Sequence, residues 1–331
     1  MSAPTLRILA ALLLTLCAGH GADAQSPGNL DRAALARELA EQNGLSSEQI
    51  LPLLNKAEYK QSIIDAITRP AEAKPWSAYR PIFMTEARIR DGRSFLAEHR
   101  DALDKVSRDT GVPAELVVAI LGVETNYGKI TGSYRVLDAL YTLGAHYPPR
   151  QTFFRSELAQ VFLLANEEKL DLDQIKGSYA GAMGWGQFMP SSYRHYAKDG
   201  DGDGRRDLFG SLSDVFASVA NYFVAHGWQN GQPVATPAQW KGEQAAPKSS
   251  GLKPEFTVAD LRKAGVEFDP ELAADLAATV LVLDGVDGAE NWVTFNNFYV
   301  ISRYNRSPLY SMAVLQLAQA LVAEPAGAKA P

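Results

Sequence analysis

Residues Gly111 to Gly132, GVPAELVVAILGVETNYGKITG, decide the fold. Proline suits the first turn of a helix, where its missing N–H costs nothing, and glycine suits the exit, so Pro113 and Gly128 predict a helix from about Pro113 to Tyr127. Val117, Ile120 and Leu121 recur at i, i+3 and i+4, and Glu124 takes i+7 on the same apolar stripe. A carboxylate therefore stands on the face that turns to the core. Burial disfavours its charged form and raises its pKa, which a general acid needs near neutral pH. A buried glutamate can equally pair with an arginine or cap the last turn, so position alone leaves both readings open.

Downstream residues bear on the choice. Ser178 to Pro190, SYAGAMGWGQFMP, alternates small residues with Met183, Trp185 and Phe188, too loose for a strand interior and too rich in glycine for a helix. Small residues let a backbone approach a ligand, and Trp185 and Gln187 offer a flat face and an amide, which suits a sugar; close helix packing explains the same composition. Asp199 to Gly204, DGDGDG, matches the first six positions of an EF-hand loop, with carboxylates at positions 1, 3 and 5 and glycine at 6. Gly210 stands where the closing glutamate would be, so Asp214, at the start of the next helix, is expected to close a lengthened loop. Three aspartates so close repel one another without a cation.

Most of the remaining chain has helical spacing. Leu30 to Ile67 reads as two or three short helices, Ile82 to Arg108, Val136 to Ala145 and Phe153 to Glu168 as further helical runs, and Ser191 to Lys198 and Ser213 to His226 as helices flanking the acidic loop. Gly231 to Ser250 reads as a boundary. After it come a helix at Val258 to Ala264, short strands at Thr279 to Leu283 and Trp292 to Phe295, and a terminal helix at Leu309 to Leu321.

The 331 residues, 46% hydrophobic and 21% charged with a formal charge of -6, suit a globular protein with a sizeable core and offer no basic stripe for nucleic acid. Arg7, the apolar run Ile8 to Leu16 and Ala22-Asp23-Ala24 read as an export signal over residues 1 to 24, too short to span a bilayer. The single cysteine, Cys17, sits where a lipoprotein would be acylated, but Leu16 before it is a poor match. A soluble mature chain is expected, without disulfides or a transmembrane helix. His146, His195 and His226 lack metal-ligand spacing, and Ser178 lacks partners for a nucleophilic triad.

Taken together, AILGVETNYGK, GSYAGAMGWGQFMPSSY, the DGDGDG loop, SVANYFVAHGW and YNRSPLYSMAV resemble the lytic murein transglycosylase B family over about Tyr79 to Leu321. The resemblance implies a mainly α fold: a lysozyme-like helical core with an extra N-terminal helical part and a small α/β insertion. It divides the chain into a signal peptide (1–24), an N-terminal helical segment (25–78), a catalytic core (79–230) with its EF-hand-like loop (199–214), the insertion (231–296), a return to the core (297–322) and a disordered tail (323–331).

It also implies roles. Glu124 is the catalytic acid and base, and Tyr79, Ser178, Gln187, Tyr222, Tyr304, Asn305 and Tyr310 line the sugar groove. Asp199, Asp201, Asp203, the Arg205 carbonyl and Asp214 hold a structural calcium ion, with Asp207 as the alternative last ligand because one extra residue separates Asp203 from Asp214. The expected reaction is non-hydrolytic cleavage of the peptidoglycan glycan strand in the periplasm. The enzyme is expected to act as a monomer, recruited by cell-wall synthesis or division proteins. A lysozyme-type hydrolase and a murein-binding scaffold without turnover are the competing readings.

Overall fold

The computed structural model describes residues 31–69, 74–240, 247 and 249–323. The expected signal segment with Cys17, and all but the first residue of the expected tail, lie outside them, as do 241–246 and 248 of the boundary region. The chain divides into two compact units. Among the described residues the first holds 31–69 and 124–218, and the second 74–123 and 219–323. The divisions fall inside two helices, Ala114–Thr125 and Leu212–Ala225.

In the first unit, residues 32–68 form three helices, Arg32–Asn43, Ser47–Lys56 and Gln61–Thr68. Asp31 caps the first by accepting the Ala33 and Ala34 N–H groups at 2.9 and 3.0 Å, and Gly44, at φ 66°, ends it. Of the spacing's apolar positions Leu35, Leu39, Ile50, Leu53 and Leu54, all but Leu53 are buried, and Leu53 is half-buried. Helix Val136–His146 is buried along its whole length and packs on Gln151–Glu168. The short strands Tyr134–Arg135 and Lys176–Gly177 pair antiparallel, and the second delivers the chain into the glycine-rich stretch.

In the second unit, strands Ala235–Pro237, Ala289–Phe295, Ala277–Asp284 and Phe256–Thr257 form, in that spatial order, a four-stranded antiparallel sheet. Its side chains alternate as a strand's must. Ala278, Val280, Val293 and Phe295 pack with Val258, Leu261 and Val266, whereas Leu281 and Leu283 pack with Trp76, Tyr79, Phe298 and Met312. Both faces are therefore covered. The strands extend one to three residues beyond the sequence expectation at most ends, and helix Pro308–Val322 starts where Ser307 accepts the Tyr310 N–H at 3.4 Å.

Two readings need correction. Ile82 to Arg108 is not one helical run: Trp76–Phe83, Glu86–Glu98 and Arg100–Thr110 are separate helices, broken at Met84-Thr85 and at His99. Thr85 caps the second helix through the Arg88 N–H at 3.2 Å, a stop-and-start that apolar spacing alone did not reveal. The other correction concerns helix Ala114–Thr125, where every residue from Leu116 to Thr125 is buried. The stripe bearing Glu124 is no face at all, because a helix that is apolar all round is enclosed all round.

Candidate active site

Glu124, only 6% exposed, is the penultimate residue of its helix. The chain leaves that helix in an uncommon way, with Asn126 and Tyr127 both left-handed at φ 52° and 58°, followed by Gly128 at 77°. Two such non-glycine residues cost about 1–3 kcal/mol each and persist only where their surroundings hold them. What holds them is visible. Thr125 Oγ1 accepts the Gly128 N–H at 3.0 Å, and the Ile130 N–H returns to Thr125 O at 2.9 Å.

The glycine-rich stretch folds against this turn. It is a compact double turn, with Ser178 N–H donating to Ala182 O at 2.8 Å and Met183 and Phe188 exchanging two backbone bonds at 3.0 Å. A Cβ at Gly132 would lie 2.0 Å from Gly177 O, and one at Gly128 would lie 2.4 Å from the Trp185 indole, so glycine permits the close approach at both points. Of the residues expected to meet sugar, Ser178 Oγ accepts the Ala180 and Ala182 N–H groups at 3.3 and 3.1 Å, which leaves its own proton to donate. Gln187, left-handed at φ 51°, donates its amide to Thr131 O and Gly184 O at 3.0 Å, and thus straps the two segments together. The first unit therefore brings Glu124, Ser178, Gln187 and Trp185 onto two interlocked segments. Trp185 does not stand out as an open platform: its indole covers Gly128 and its N–H donates to Phe209 O at 3.1 Å.

In the acidic loop, Asp199, Asp201 and Asp203 offer carboxylate oxygens within 4.8 Å of one another, all exposed. Asp199 accepts the Gly202 and Gly204 N–H groups at 2.6 and 2.8 Å, and Asp203 accepts the Arg205 N–H at 2.8 Å. The Ser211 hydroxyl, donating to Asp201 at 2.6 Å, holds that carboxyl below its ordinary range. Three ionised oxygens gathered on such a turn suit a hard divalent cation. Asp214, expected as the last ligand, is buried and takes the Gly200 and Asp207 N–H groups at 2.7 and 2.6 Å, so it also braces the loop from within. Asp207, the alternative, accepts the Phe209 and Gly210 N–H groups at 2.9 and 3.0 Å.

The other expected groove residues belong to the second unit. Tyr222 and Tyr304 lie 4.8 Å apart between ring centres, and the Tyr222 hydroxyl donates to Arg303 O at 2.6 Å. Asn305 Oδ1 accepts the Ser307 N–H at 3.1 Å, and Ser307 in turn caps the helix that carries Tyr310. Tyr310 is buried, and Tyr79 packs in the apolar cluster with Trp76 and Phe298. Tyr304 is the half-exposed member of the four tyrosines.

Sequence reasoning missed three buried carboxylates of the first unit, Asp138, Glu157 and Glu168. Glu157 accepts the Ser191 N–H and hydroxyl at 2.9 and 2.6 Å, fixing the start of helix Pro190–Tyr196, and burial pushes its carboxyl up. Its signal was present: Phe154, Glu157, Leu158 and Val161 repeat the i, i+3, i+4, i+7 spacing that exposed Glu124. Thr125 left no such signal.

Residues 29–319 match the Transglycosylase SLT domain family, and the chain belongs to it. It is 39% identical over 294 residues, 86% of this chain and 80% of the relative, to membrane-bound lytic murein transglycosylase B of Escherichia coli. Its structure resembles the crystal structure of soluble lytic transglycosylase SltB1 from Pseudomonas aeruginosa, with a TM-score of 0.83 and 46% identity, covering 88% of this chain and 98% of that one. It also resembles E. coli lytic transglycosylase Slt35 in complex with calcium, with a TM-score of 0.80 and 38% identity over 90% and 96% of the two chains.

Proposed function

We propose that this chain is a lytic transglycosylase of peptidoglycan that cleaves the β-1,4 bond between N-acetylmuramic acid and N-acetylglucosamine without water, with Glu124 as acid and then base. The observation that carries the reading is the burial of Glu124 at a helix end on a strained, doubly left-handed turn. A general acid must hold its proton when the glycan arrives. Glu124 gives its proton to the bridging oxygen as the bond to the muramyl C1 breaks, and positive charge develops on that sugar. The substrate's own N-acetyl oxygen stabilises the charge, with Ser178 and Asn305 orienting the acetamido group. Glu124, now a carboxylate, then takes the proton from the muramyl C6 hydroxyl as it attacks C1, giving a 1,6-anhydro end.

A lysozyme-type reaction would place a second carboxylate or an activated water at C1. Among the described residues the buried carboxylates other than Glu124 are Asp138, Glu157, Glu168 and Asp214. Each is engaged elsewhere: Asp138 by Arg135, Glu157 by Ser191, Glu168 by Arg206, and Asp214 by the Gly200 and Asp207 N–H groups. This favours the anhydro route. Asp199, Asp201, Asp203, the Arg205 carbonyl and Asp214 would hold a structural calcium ion, which would neutralise the acidic loop. Export to the periplasm, action as a monomer on the glycan strand and recruitment by cell-wall synthesis or division proteins complete the reading. No helix among the described residues is long and apolar enough to cross a membrane.

The test is mass spectrometry of sacculi digested by the purified protein. Anhydromuramyl ends are expected. Reducing muramic ends would replace the reading with hydrolysis, and binding without released fragments would leave a scaffold.

A further inference from the structure

The turn that follows Glu124 and the loop that gathers the acidic cluster are joined through two residues to which the proposed reaction gives no chemical step. Thr125, 1% exposed, donates its hydroxyl to Trp185 O at 3.0 Å while accepting the Gly128 N–H at 3.0 Å. Trp185 is held in turn by the loop at two points, its backbone N–H donating to Leu208 O and its indole N–H to Phe209 O, both at 3.1 Å. The indole fills the space above Gly128, where any Cβ would meet it at 2.4 Å.

The loop end of the connection is equally anchored. Asp214 accepts the Asp207 N–H at 2.6 Å, and the Tyr193 hydroxyl accepts the Leu208 N–H at 3.0 Å while donating to Arg206 O. An unbroken series of hydrogen bonds thus runs from Asp214 and Tyr193 through the 207–209 backbone and Trp185 to Thr125, the residue beside Glu124. Such a series matters here because the turn it holds is left-handed at two non-glycine residues, a conformation the chain does not keep by itself.

We infer that Thr125 and Trp185 are positioning residues for Glu124, tying its turn to the 199–214 loop so that order in the loop fixes where the carboxyl stands. The inference rests on Glu124 as the acid. A carboxyl displaced by about 1 Å can lose on the order of a hundredfold in rate, so the connection needs to shift the turn only slightly to be felt.

The variants are Thr125→Val, which keeps the shape and removes both hydroxyl bonds, Thr125→Ser, which keeps them, and Trp185→Phe, which keeps an aromatic ring and removes the indole donor. Rates are measured on soluble glycan strands with calcium present. Thr125→Val is expected to lower kcat about tenfold to a hundredfold, with KM within a factor of about two and a displaced acid limb in the pH profile. Thr125→Ser recovers most of the rate, and Trp185→Phe shows a smaller loss of the same kind, so it carries the test if the valine variant does not fold. An unchanged kcat, a loss confined to KM, or a loss that disappears on cooling together with a lowered melting temperature would overturn the inference.

The loop end is read separately, by adding calcium ion to chelator-treated protein and following tryptophan emission. The wild-type emission is expected to change and the change to shrink in Trp185→Phe. No change, or the same change in both proteins, overturns the connection to the loop. A Glu124→Gln protein that still releases fragments at the wild-type rate would instead sink the choice of acid, whatever the Thr125 variants do.

Discussion

The two units bury different chemistry. Among the described residues, all five buried carboxylates, Glu124, Asp138, Glu157, Glu168 and Asp214, belong to the first unit, as do the four left-handed non-glycine residues Asn126, Tyr127, Lys169 and Gln187. The second unit buries neutral groups such as Asn297, Asn305, Thr279 and Ser311, and its one buried charge is Arg88, which donates to Gly122 O. Buried charge and left-handed backbone both need partners to hold them, so the first unit depends more than the second on specific polar contacts. The second unit packs mainly through apolar contacts: a sheet covered on both faces, with Tyr79 set in the cluster on one of them.

The sharpest way to break this contrast is Glu124→Gln. Fragment release should fall about a hundredfold to ten-thousandfold, while calorimetry should show a melting temperature equal to or above that of the wild type. A marked drop in melting temperature would make Glu124 structural and remove the functional half of the comparison. Next in size is Arg206→Met. Glu168, whose side chain is 9% exposed, would lose its guanidinium partner, and about 3–5 kcal/mol of stability should go with it in denaturant unfolding. A loss under about 1 kcal/mol would show the pair to be as weak as an exposed one.

In the second unit the effects should be smaller, because most of its buried polar groups are neutral. Tyr222→Phe removes the hydroxyl bond to Arg303 O and should cost about 1 kcal/mol. A cost equal to that of Arg206→Met would erase the distinction. The smallest effect is a pH dependence common to both halves. His146, set edge-on against Tyr59 and Tyr141, and His226, stacked on Tyr222, both have lowered pKa values, in each case first through burial and then through a nearby arginine. The stability each contributes is present above the ordinary value of 6.5 and is lost as pH falls from there through the folded-state value. The melting temperature should therefore drop between pH 7 and 5, and His146→Phe and His226→Phe should each flatten part of that slope. A slope untouched by either variant would place the acid sensitivity in the carboxylates.

Much of this was legible because it is local. Asp199 to Gly204 imposes its own turn through short side-chain bonds to its own backbone, so spacing was enough to find it. Capping and apolar period likewise placed the helices to within a few residues. What failed was inference about faces. Glu124 was singled out by a stripe that does not exist on a helix enclosed on every side, and Glu157, with the same spacing, was passed over. Burial of Tyr79 and Tyr310, both expected in a sugar groove, was equally beyond the reach of apolar spacing.

By itself, then, the sequence determined the helical class and the family, since the apolar spacing and the motifs that carry them lie between near neighbours in the chain. Only the tertiary structure decided which buried carboxylates are already satisfied, that Trp185 seals Gly128 rather than lying open, and that Thr125 ties the turn after Glu124 to a loop about eighty residues away. Those outcomes depend on donors and acceptors brought together from distant positions, and whether a buried polar group is costly or useful depends on the partner it finds there.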